Sequence, residues 1–396
     1  MNILRIIFLL VLTLIACAGA WIWLPSQMTV ETLGRDFAGY WASGRLLLDG
    51  DSPYSAEKVL AMQRSLGWSE EAPLVVYNPP WVLTLLLPFC IPSYALAKAA
   101  WLGCSLFLIL FCADRLWVIY GGSRETRLRA PVIAATFSPV LFATLLGQIV
   151  PLMLLGLVGF LYFVRRRKWW AAGMMTVLIA VKPHTVYLFW PALLLWALKH
   201  RLWPVLLGSA LALLGTTGLA LLYNPYVIYQ YLGEIVAKSY ACHWATPTIG
   251  TFLRLCFGSQ ECWLQYIPVP AGLIWLIFYW RRHGDRWTWE DRVPMLIFIS
   301  LMTNFYTWPS DYLMMLPAVI QATVLMSRHP GSRRSRWGFA LYAAINAAAV
   351  VSMFFLSYQW YFWMPFALFA HYSLVKNGMD SRGTGEKSGE PPLTPA

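Results

Sequence analysis

The aspartate Asp36 lies a short distance after a long apolar segment and opens a stretch rich in aromatic residues. A carboxylate at the boundary between water and lipid is partly desolvated, which raises its pKa and suits it to act as a general base. The competing interpretation is that Asp36 caps a helix beginning at Phe37, and the spacing alone favours this cap. The two roles are compatible only if one carboxylate oxygen stays free.

Lys182 lies near the end of an apolar segment and is followed by Pro183 and His184. A lysine in this position is unfavourable unless it faces a cavity or an anion. We expect Lys182 and His184 to hold a phosphate group and to offset charge on a leaving group. The alternative is a lysine that extends to the membrane interface beside a buried histidine. Gln148 could donate to a hydroxyl group, or it could simply form a polar turn.

A long outer loop over residues 223–262 carries two further candidates. His243 could act as an acid, a base or a phosphate ligand, or it could simply be solvated. Arg254 could contact the phosphate of a lipid donor or be a surface charge. Asp311 is either a second acid or another helix cap. Four aromatic side chains could stack on a sugar or anchor the membrane interface: Tyr40, Trp41, Tyr54 and Tyr77.

Several common motifs are missing from the sequence. It has no Gly-rich phosphate loop, no zinc or haem spacing and no elbow for a serine nucleophile. We therefore expect no nucleotide site and no cofactor, while a divalent metal stays open. The net charge of +12 comes from basic residues scattered between apolar segments, which indicates orientation in a membrane and no nucleic-acid partner. Of the seven cysteines, Cys242, Cys256 and Cys262 share one polar loop, where an oxidising compartment could pair two of them.

The composition predicts an all-α polytopic membrane protein, because 59% of the 396 residues are hydrophobic and only 12% are charged. The first span is predicted at residues 3–24, with a cytoplasmic N-terminus and a first outer loop over residues 25–92. In that loop, the apolar spacing from Phe37 to Leu48 predicts an amphipathic helix that lies on the membrane face and stops at Gly50. A second short helix is predicted from Ser55 to Gly67.

Residues 79–92 are bounded by prolines and are too short to cross a bilayer, so we interpret them as a half-helix that dips into it. This interpretation places every basic cluster in the cytoplasm and predicts about twelve transmembrane helices with both termini inside. Residues 1–375 would form one domain, followed by a disordered cytoplasmic tail over residues 376–396. The further spans are predicted at 93–118, 131–146, 149–164, 169–181, 185–199, 203–222, 264–280, 293–308, 312–327, 338–357 and 359–375.

The order and spacing of several short motifs resemble glycosyltransferase family 87, the polyprenol-phosphate-mannose-dependent mannosyltransferases of the GT-C superfamily. The resemblance extends from the first span to about residue 260. The motifs are Asp36 with Tyr40-Trp41, Gly50 with Pro53-Tyr54, Tyr77-Asn78-Pro79-Pro80, Gly147-Gln148, Ala172-Gly173 and Lys182-Pro183.

The resemblance implies a GT-C-type helical bundle with its active site on the outer face of the membrane. It implies that Asp36 is the catalytic base, which reverses the preference for a helix cap. It also implies a polyprenyl-phosphate sugar donor, an inverting transfer and a role for a histidine of the long outer loop, where His243 is the only histidine. The expected reaction moves a sugar, by resemblance mannose, to a lipid or glycan acceptor. The expected location is a bacterial inner or plasma membrane.

Two other functions are compatible with the composition. A transporter or flippase of a lipid-linked sugar would typically show internal repeats and ionisable groups near the membrane midplane, and the sequence shows neither clearly. A non-catalytic partner in an envelope complex has no positive sign in the sequence. The motifs therefore favour a membrane glycosyltransferase.

Overall fold

A computed structural model describes residues 33–237, 241–258 and 260–385, so the predicted first span lies outside the described part. The architecture is helical, and the described residues contain no β-strand. The α-helices are α1 (Arg35–Leu48), α2 (Ala56–Ser65), α3 (Pro80–Cys90), α4 (Tyr94–Ile119), α5 (Arg129–Thr136), α6 (Ser138–Leu146), α7 (Val150–Arg165), α8 (Trp169–Ile179), α9 (Phe189–Lys199), α10 (Trp203–Tyr223), α11 (Val227–Tyr231), α12 (Ile249–Phe257), α13 (Pro268–His283), α14 (Trp289–Thr303), α15 (Leu316–Arg328), α16 (Arg333–Ser352) and α17 (Trp363–Gly385). Short π- or 3-10 helices are Leu232–Val236, Ala241–His243, Cys262–Gln265, Gly284–Arg286, Pro309–Met315 and Tyr358–Phe362.

Three helical stretches are long and apolar enough to cross a membrane: Tyr94–Ile119, Trp203–Tyr223 and Cys262–Arg286. Helices α5 and α6 are long and apolar enough only when taken together, and they would then add a fourth, broken span. They meet at Phe137 with a bend of 65°. The residues that the structure describes thus form an all-helical membrane protein. Helix length alone does not confirm the predicted number of about twelve crossings.

Several predicted spans are present as shorter apolar helices. The spans predicted at 149–164, 169–181 and 185–199 are helices of 16, 11 and 11 residues. These helices are only about 24 and 17 Å long, whereas the hydrocarbon core is ~30 Å thick. The last helix, α17, continues past the predicted start of a disordered tail at residue 376 and ends at Gly385. Residues 386–396 lie outside the described part.

Helix α1 (Arg35–Leu48) lies inside the bundle, which corrects the prediction of an amphipathic helix on the membrane face. Its residues are buried without a break from Phe37 to Gly44. This run covers two turns, so every side of the helix is packed. The helix ends before Gly50, which has a φ of 74° and confirms the predicted stop.

The rest of the first outer loop follows its local sequence signals. The Ser55 side chain accepts a hydrogen bond from the Lys58 backbone N–H and so caps α2. Helix α3 (Pro80–Cys90) is a separate short helix before α4, as the half-helix interpretation predicts. Just before it and at its start, Asn78 and Trp81 donate to the backbone carbonyls of Val181 and Ala180, at 2.8 and 3.1 Å. These bonds join the outer loop to the chain that leads into Lys182.

Helices α8 and α10 pack at close range through Gly173. A Cβ atom at this position would lie 2.1 Å from the carbonyl oxygen of Val205, so a larger residue would separate the two helices. The contact gives a structural reason for the Ala172-Gly173 motif. The contact also positions helix α8, which ends at Ile179, three residues before Lys182.

Helix α14 ends at Thr303, earlier than the span predicted over residues 293–308. A loop from Asn304 to Trp308 follows it and leads into the buried 3-10 helix Pro309–Met315. The α-helix proper resumes only at Leu316. This loop and the 3-10 helix supply several side chains of the site described next.

Candidate active site

Two glycines bring the first turn of α1 against the turn after α6. Gly34 and Gly147 both have left-handed backbones, with φ of 69° and 66°. The Gly34 N–H donates to the Leu145 carbonyl at 2.7 Å, and a Cβ on Gly147 would lie 2.9 Å from the Gly34 Cα. The Trp101 indole donates to the Gly147 carbonyl at 2.8 Å. This contact, which only glycine allows, places Asp36 beside Gln148.

Asp36 is held through one of its two carboxylate oxygens. The Gln148 side-chain N–H donates to Asp36 Oδ2. The other oxygen, Oδ1, accepts no hydrogen bond within the ranges that the structure describes, and the side chain is partly exposed. The helix N-cap is Gly34 and not Asp36, so the cap interpretation is wrong. Burial raises the pKa of Asp36, although the Lys182 charge and the Gln148 hydrogen bond both lower it.

Lys182 links Gln148 to a second acid. Its ammonium donates to Gln148 Oε1 and to Asp311 Oδ1, both at 2.8 Å. Lys182 is 8% exposed and Asp311 is completely buried, so the two form a buried ion pair. Asp311 Oδ2 accepts from the Trp308 backbone N–H at 2.9 Å, so Asp311 also caps its 3-10 helix. The four side chains Asp36, Gln148, Lys182 and Asp311 form one continuous hydrogen-bonded chain.

His184 lies beside this chain as a neutral histidine. The imidazole ring lies beside the rings of Phe305 and Tyr306, whose centroids are 6.0 and 5.5 Å from its own. Burial lowers the pKa of His184 to about 4, so it carries no charge at pH 7. Its Nε2 atom is buried and has no hydrogen-bond partner within the described part of the chain. His184 can therefore offer a hydrogen bond to a ligand but not a positive charge.

Four aromatic side chains, Tyr77, Trp244, Tyr306 and Trp308, form what we call the aromatic rim. Trp244 packs against Tyr77 and Tyr306 with ring centroids 5.1 and 5.8 Å apart. The Trp308 indole donates to the Tyr306 hydroxyl at 2.8 Å. His243 is exposed and stands next to the rim, 5.9 Å from the Trp244 ring. The rim therefore extends from Tyr77 to Tyr306, whose ring lies beside His184, and His243 lies next to its Trp244.

Tyr306 and Trp308 are candidates that the hydropathy pattern concealed. Both fall inside the span predicted over residues 293–308, where aromatic residues count as apolar. The signal that marks them is the pair of helix-breaking residues around them, Asn304 and Pro309. In the structure Asn304 donates to the His184 carbonyl at 2.8 Å, so the loop that carries both aromatic residues is fixed beside the site.

Arg254 holds parts of the long outer loop (residues 223–262) and the segment after it together. Its guanidinium donates to the Cys242 carbonyl at 2.7 Å and to Gln265 Oε1 at 3.2 Å. A disulfide joins Cys242 to Cys262, and Cys256 is a free, exposed thiol. The sequence allowed one such pair with one cysteine left over. Gln265 in turn donates to the Phe305 carbonyl at 2.6 Å, which joins the region around Arg254 to the loop beside His184.

Trp41 and Tyr54 are packed in the core, which corrects their prediction as substrate-lining residues. The Trp41 indole donates to the Pro92 carbonyl at 3.2 Å, and the Tyr54 hydroxyl donates to the Asn78 carbonyl at 2.9 Å. Tyr54 is only 1% exposed, so its ring has no face free for a sugar. Tyr40 is also buried, with its hydroxyl 3.5 Å from Gln148 Oε1. Tyr77 differs from all three, since 45% of it is exposed.

The sequence matches one protein-family model, described as glycosyltransferase family 87, over residues 76–303. No curated protein and no solved structure matches it significantly. The matched range covers more than half of the chain and includes Gln148, Lys182 and His184, whereas Asp36 and Asp311 lie outside it. With its apolar helices, the chain belongs to glycosyltransferase family 87 and is a membrane glycosyltransferase.

Proposed function

We propose that the protein transfers a sugar, expected to be mannose, from a polyprenyl-phosphate donor to a hydroxyl group of a lipid or glycan acceptor. The transfer inverts the anomeric centre, takes place on the outer face of the membrane and uses Asp36 as the general base. One observation carries this proposal. Asp36 is fixed through Oδ2 by Gln148, while Oδ1 has no hydrogen bond from the described residues.

The proposed reaction is a single displacement. The acceptor hydroxyl oxygen forms a bond to the anomeric carbon as the bond from that carbon to the phosphate oxygen breaks. The hydroxyl proton passes to Asp36 Oδ1, and the polyprenyl phosphate leaves with the bonding electrons. A carboxylate with a raised pKa is a stronger base than a solvated one, which suits this step. The reaction needs no cofactor in this proposal.

Lys182 and His184 are proposed to contact the phosphate of the donor. An ammonium group has three N–H donors, and two of those of Lys182 go to Gln148 and Asp311. The third, together with an N–H at the buried Nε2 of His184, can stabilise negative charge on the leaving oxygen. Because Asp311 already balances the Lys182 charge, this contact acts mainly through directed hydrogen bonds. Arg254 contributes indirectly in this proposal, by holding the loop around Cys242.

The aromatic rim is proposed to receive the sugar or the acceptor. Tyr77 exposes nearly half of its surface, and its ring makes an edge-to-face contact with Trp244. Aromatic faces of this kind provide apolar contact for the C–H groups of a sugar ring, while their polar groups stay available. His243 is placed to contact a hydroxyl or a phosphate at the open side of the rim.

The Cys242–Cys262 disulfide supports the assignment of this end of the bundle to the outer face. Disulfides persist in oxidising compartments such as the periplasm and the cell surface, and they are rare in the cytosol. The loop that carries the bond also holds Trp244 of the rim and Arg254. We therefore propose that Asp36 lies on the extracytoplasmic side. The distribution of basic residues predicts that both termini are in the cytoplasm.

The pH dependence of the reaction tests the base directly. Asp36 must be a carboxylate to accept a proton, so the rate is expected to fall on acidification through a pKa above the ordinary 3.8. Changing Gln148→Met removes a donor that lowers this pKa, so the acid limb of kcat/KM should move to higher pH. Ser43→Ala, elsewhere on α1, should leave the limb in place. An acid limb at the same pH in Gln148→Met would contradict the assignment.

The donor class is tested with purified protein in lipid vesicles. We expect radiolabelled sugar to pass to the acceptor lipid from polyprenyl-phosphate mannose and not from a nucleotide sugar, because the family resemblance implies a lipid-linked donor and the sequence has no Gly-rich phosphate loop. The same reaction in the presence of a chelator tests the absence of a metal requirement. Transfer from the nucleotide sugar alone would refute the donor class. Movement of the labelled donor across the bilayer without any transfer would establish the transporter instead.

A further inference from the structure

A polar cavity of about 310 Å³ lies away from the candidate active site. It is lined by residues of four helices, and its charged residues come from three of them. Glu290 and Asp291 begin α14, Arg328 ends α15, and Lys376 lies on α17. Ile119 and Tyr120 line it at the end of α4. Its volume is at the lower end of the ~300–1,000 Å³ usual for pockets that hold small molecules.

The cavity lies at the end of the bundle opposite Asp36. Helix α4 contacts the active-site turn through Trp101, which donates to Gly147, and it ends at Ile119. Eighteen residues of α-helix separate these positions, which is about 27 Å along the helix axis. Helix α15 runs in the same direction, since it follows the 3-10 helix of Asp311 and ends at Arg328. The two sites therefore face opposite surfaces of the membrane.

The cationic side chains of the cavity are positioned by neutral partners. Arg328 donates to the Tyr120 carbonyl at 3.4 Å. Lys376 donates to the Tyr372 hydroxyl at 3.2 Å, and that hydroxyl donates to Gln321 Oε1 at 2.6 Å. Neither Arg328 nor Lys376 forms an ion pair with any residue in the described ranges. Both positive charges thus stay available to an anion.

The anionic side chains are likewise not neutralised. Asp291 accepts a hydrogen bond from the Thr288 hydroxyl at 2.7 Å, but neither it nor Glu290 makes an ion pair in the part of the chain that the structure describes. The Tyr120 side chain is 8% exposed, and its buried hydroxyl has no partner there either. One cavity therefore combines two carboxylates and two cations that do not pair with each other.

We propose that this cavity binds the headgroup of a zwitterionic membrane phospholipid that carries a phosphate and a primary ammonium. The phosphate contacts Arg328 and Lys376, and the ammonium contacts Glu290 and Asp291. A simple anion would be repelled by the two carboxylates, and a simple cation by Arg328 and Lys376. The ends of apolar helices are also where lipid headgroups lie. This site is separate from the proposed catalytic function and does not depend on it.

Lipid binding to the wild-type protein provides the first test. The protein is purified in detergent and titrated with phosphatidylethanolamine, phosphatidylcholine or phosphatidylglycerol, and the bound lipid is counted by native mass spectrometry. We expect phosphatidylethanolamine to bind roughly tenfold more tightly than the other two, because choline has no N–H to donate and glycerol has no charge. Equal binding of the three lipids would overturn the proposal. Soluble phosphoethanolamine binding as tightly as the lipid would overturn the lipid as the source of the headgroup.

Substitutions then locate the bound lipid. Arg328→Gln and Glu290→Gln should each weaken phosphatidylethanolamine binding roughly tenfold, since each removes one charge-assisted contact. Arg333→Gln removes an exposed positive charge from the neighbouring helix α16 and should change nothing. Unfolding midpoints in lipid-free detergent identify any variant that misfolds. Unchanged affinity in folded Arg328→Gln and Glu290→Gln would place the lipid elsewhere and refute the site.

Discussion

Replacing Asp36 with asparagine should lower the rate of sugar transfer by a factor of ~10²–10⁴, the usual contribution of a general base. Asparagine has the same shape and keeps an oxygen that can accept the Gln148 hydrogen bond. The fold should therefore survive, and unfolding midpoints should stay close to that of the wild-type protein. What the variant loses is the basic oxygen that would take the proton from the acceptor. The measurement is initial transfer rate from the polyprenyl-phosphate donor in vesicles.

A control on the same helix separates the base from a general effect of charge. Asp49, at the end of α1, is exposed and pairs loosely with Arg45 at 3.6 Å. Asp49→Asn makes the same chemical change about three and a half turns away and should leave the transfer rate unaltered. If Asp36→Asn protein transferred sugar at the wild-type rate, the base would have to be another residue.

Replacing Lys182 with methionine should destabilise the protein by about 3–5 kcal/mol, because the completely buried Asp311 would lose its charge partner. The loss would also break the hydrogen bond to Gln148 and so free the group that holds Asp36. The free energy of unfolding in mixed micelles measures this effect. As a control, Glu70→Gln removes half of the exposed pair with Arg35 and should cost no more than ~1 kcal/mol.

A double substitution separates the structural role of Lys182 from its catalytic role. Lys182→Met with Asp311→Asn removes both buried charges and should recover much of the stability that Lys182→Met alone loses. Transfer activity should stay low in the double variant, because the ammonium that orients Gln148 and contacts the phosphate is still missing. Full recovery of activity together with stability would show that Lys182 has only a structural role.

Local signals in the sequence predicted the short elements of the outer loop well. Ser55 caps α2 as its position indicates, Gly50 follows the end of α1, and the break at Pro92 separates the half-helix α3 from α4. Each of these features depends on residues that are close in the chain, so neighbouring residues suffice to predict them.

The arrangement of the site depends on contacts that no local pattern contains. The topology predicted from the sequence put Gln148, Lys182 and Asp311 on one side of the membrane. It could not predict that Lys182 pairs with Asp311, which lies 129 positions further along the chain. It also could not show that a contact between two glycine turns brings Asp36 to Gln148. Burial of α1 was unpredictable for a similar reason, since Gly39 and Gly44 fit closely against Leu74 and Cys90, which come much later in the chain.

Hydropathy averaged over long windows missed two interruptions of helices. It extended a span through Tyr306 and Trp308, because aromatic residues of a binding site count as apolar in such a window. It also gave residues 131–146 as one span without the bend of 65° that the chain makes at Phe137 between α5 and α6. Both positions are interruptions of a helix, which an average over a long window does not detect.

The shortness of the helices around the site has a consequence for the lipid itself. Helices α8 and α9, which lead into and out of the turn of Lys182 and His184, have 11 residues each. Apolar segments of about 17 Å in a ~30 Å hydrocarbon core create a hydrophobic mismatch, which thinning of the bilayer around the protein would relieve. Thinning would bring the layer of headgroups closer to Lys182. Under the proposed function, the phosphate of a polyprenyl donor would then reach the site while its tail stays in the hydrocarbon.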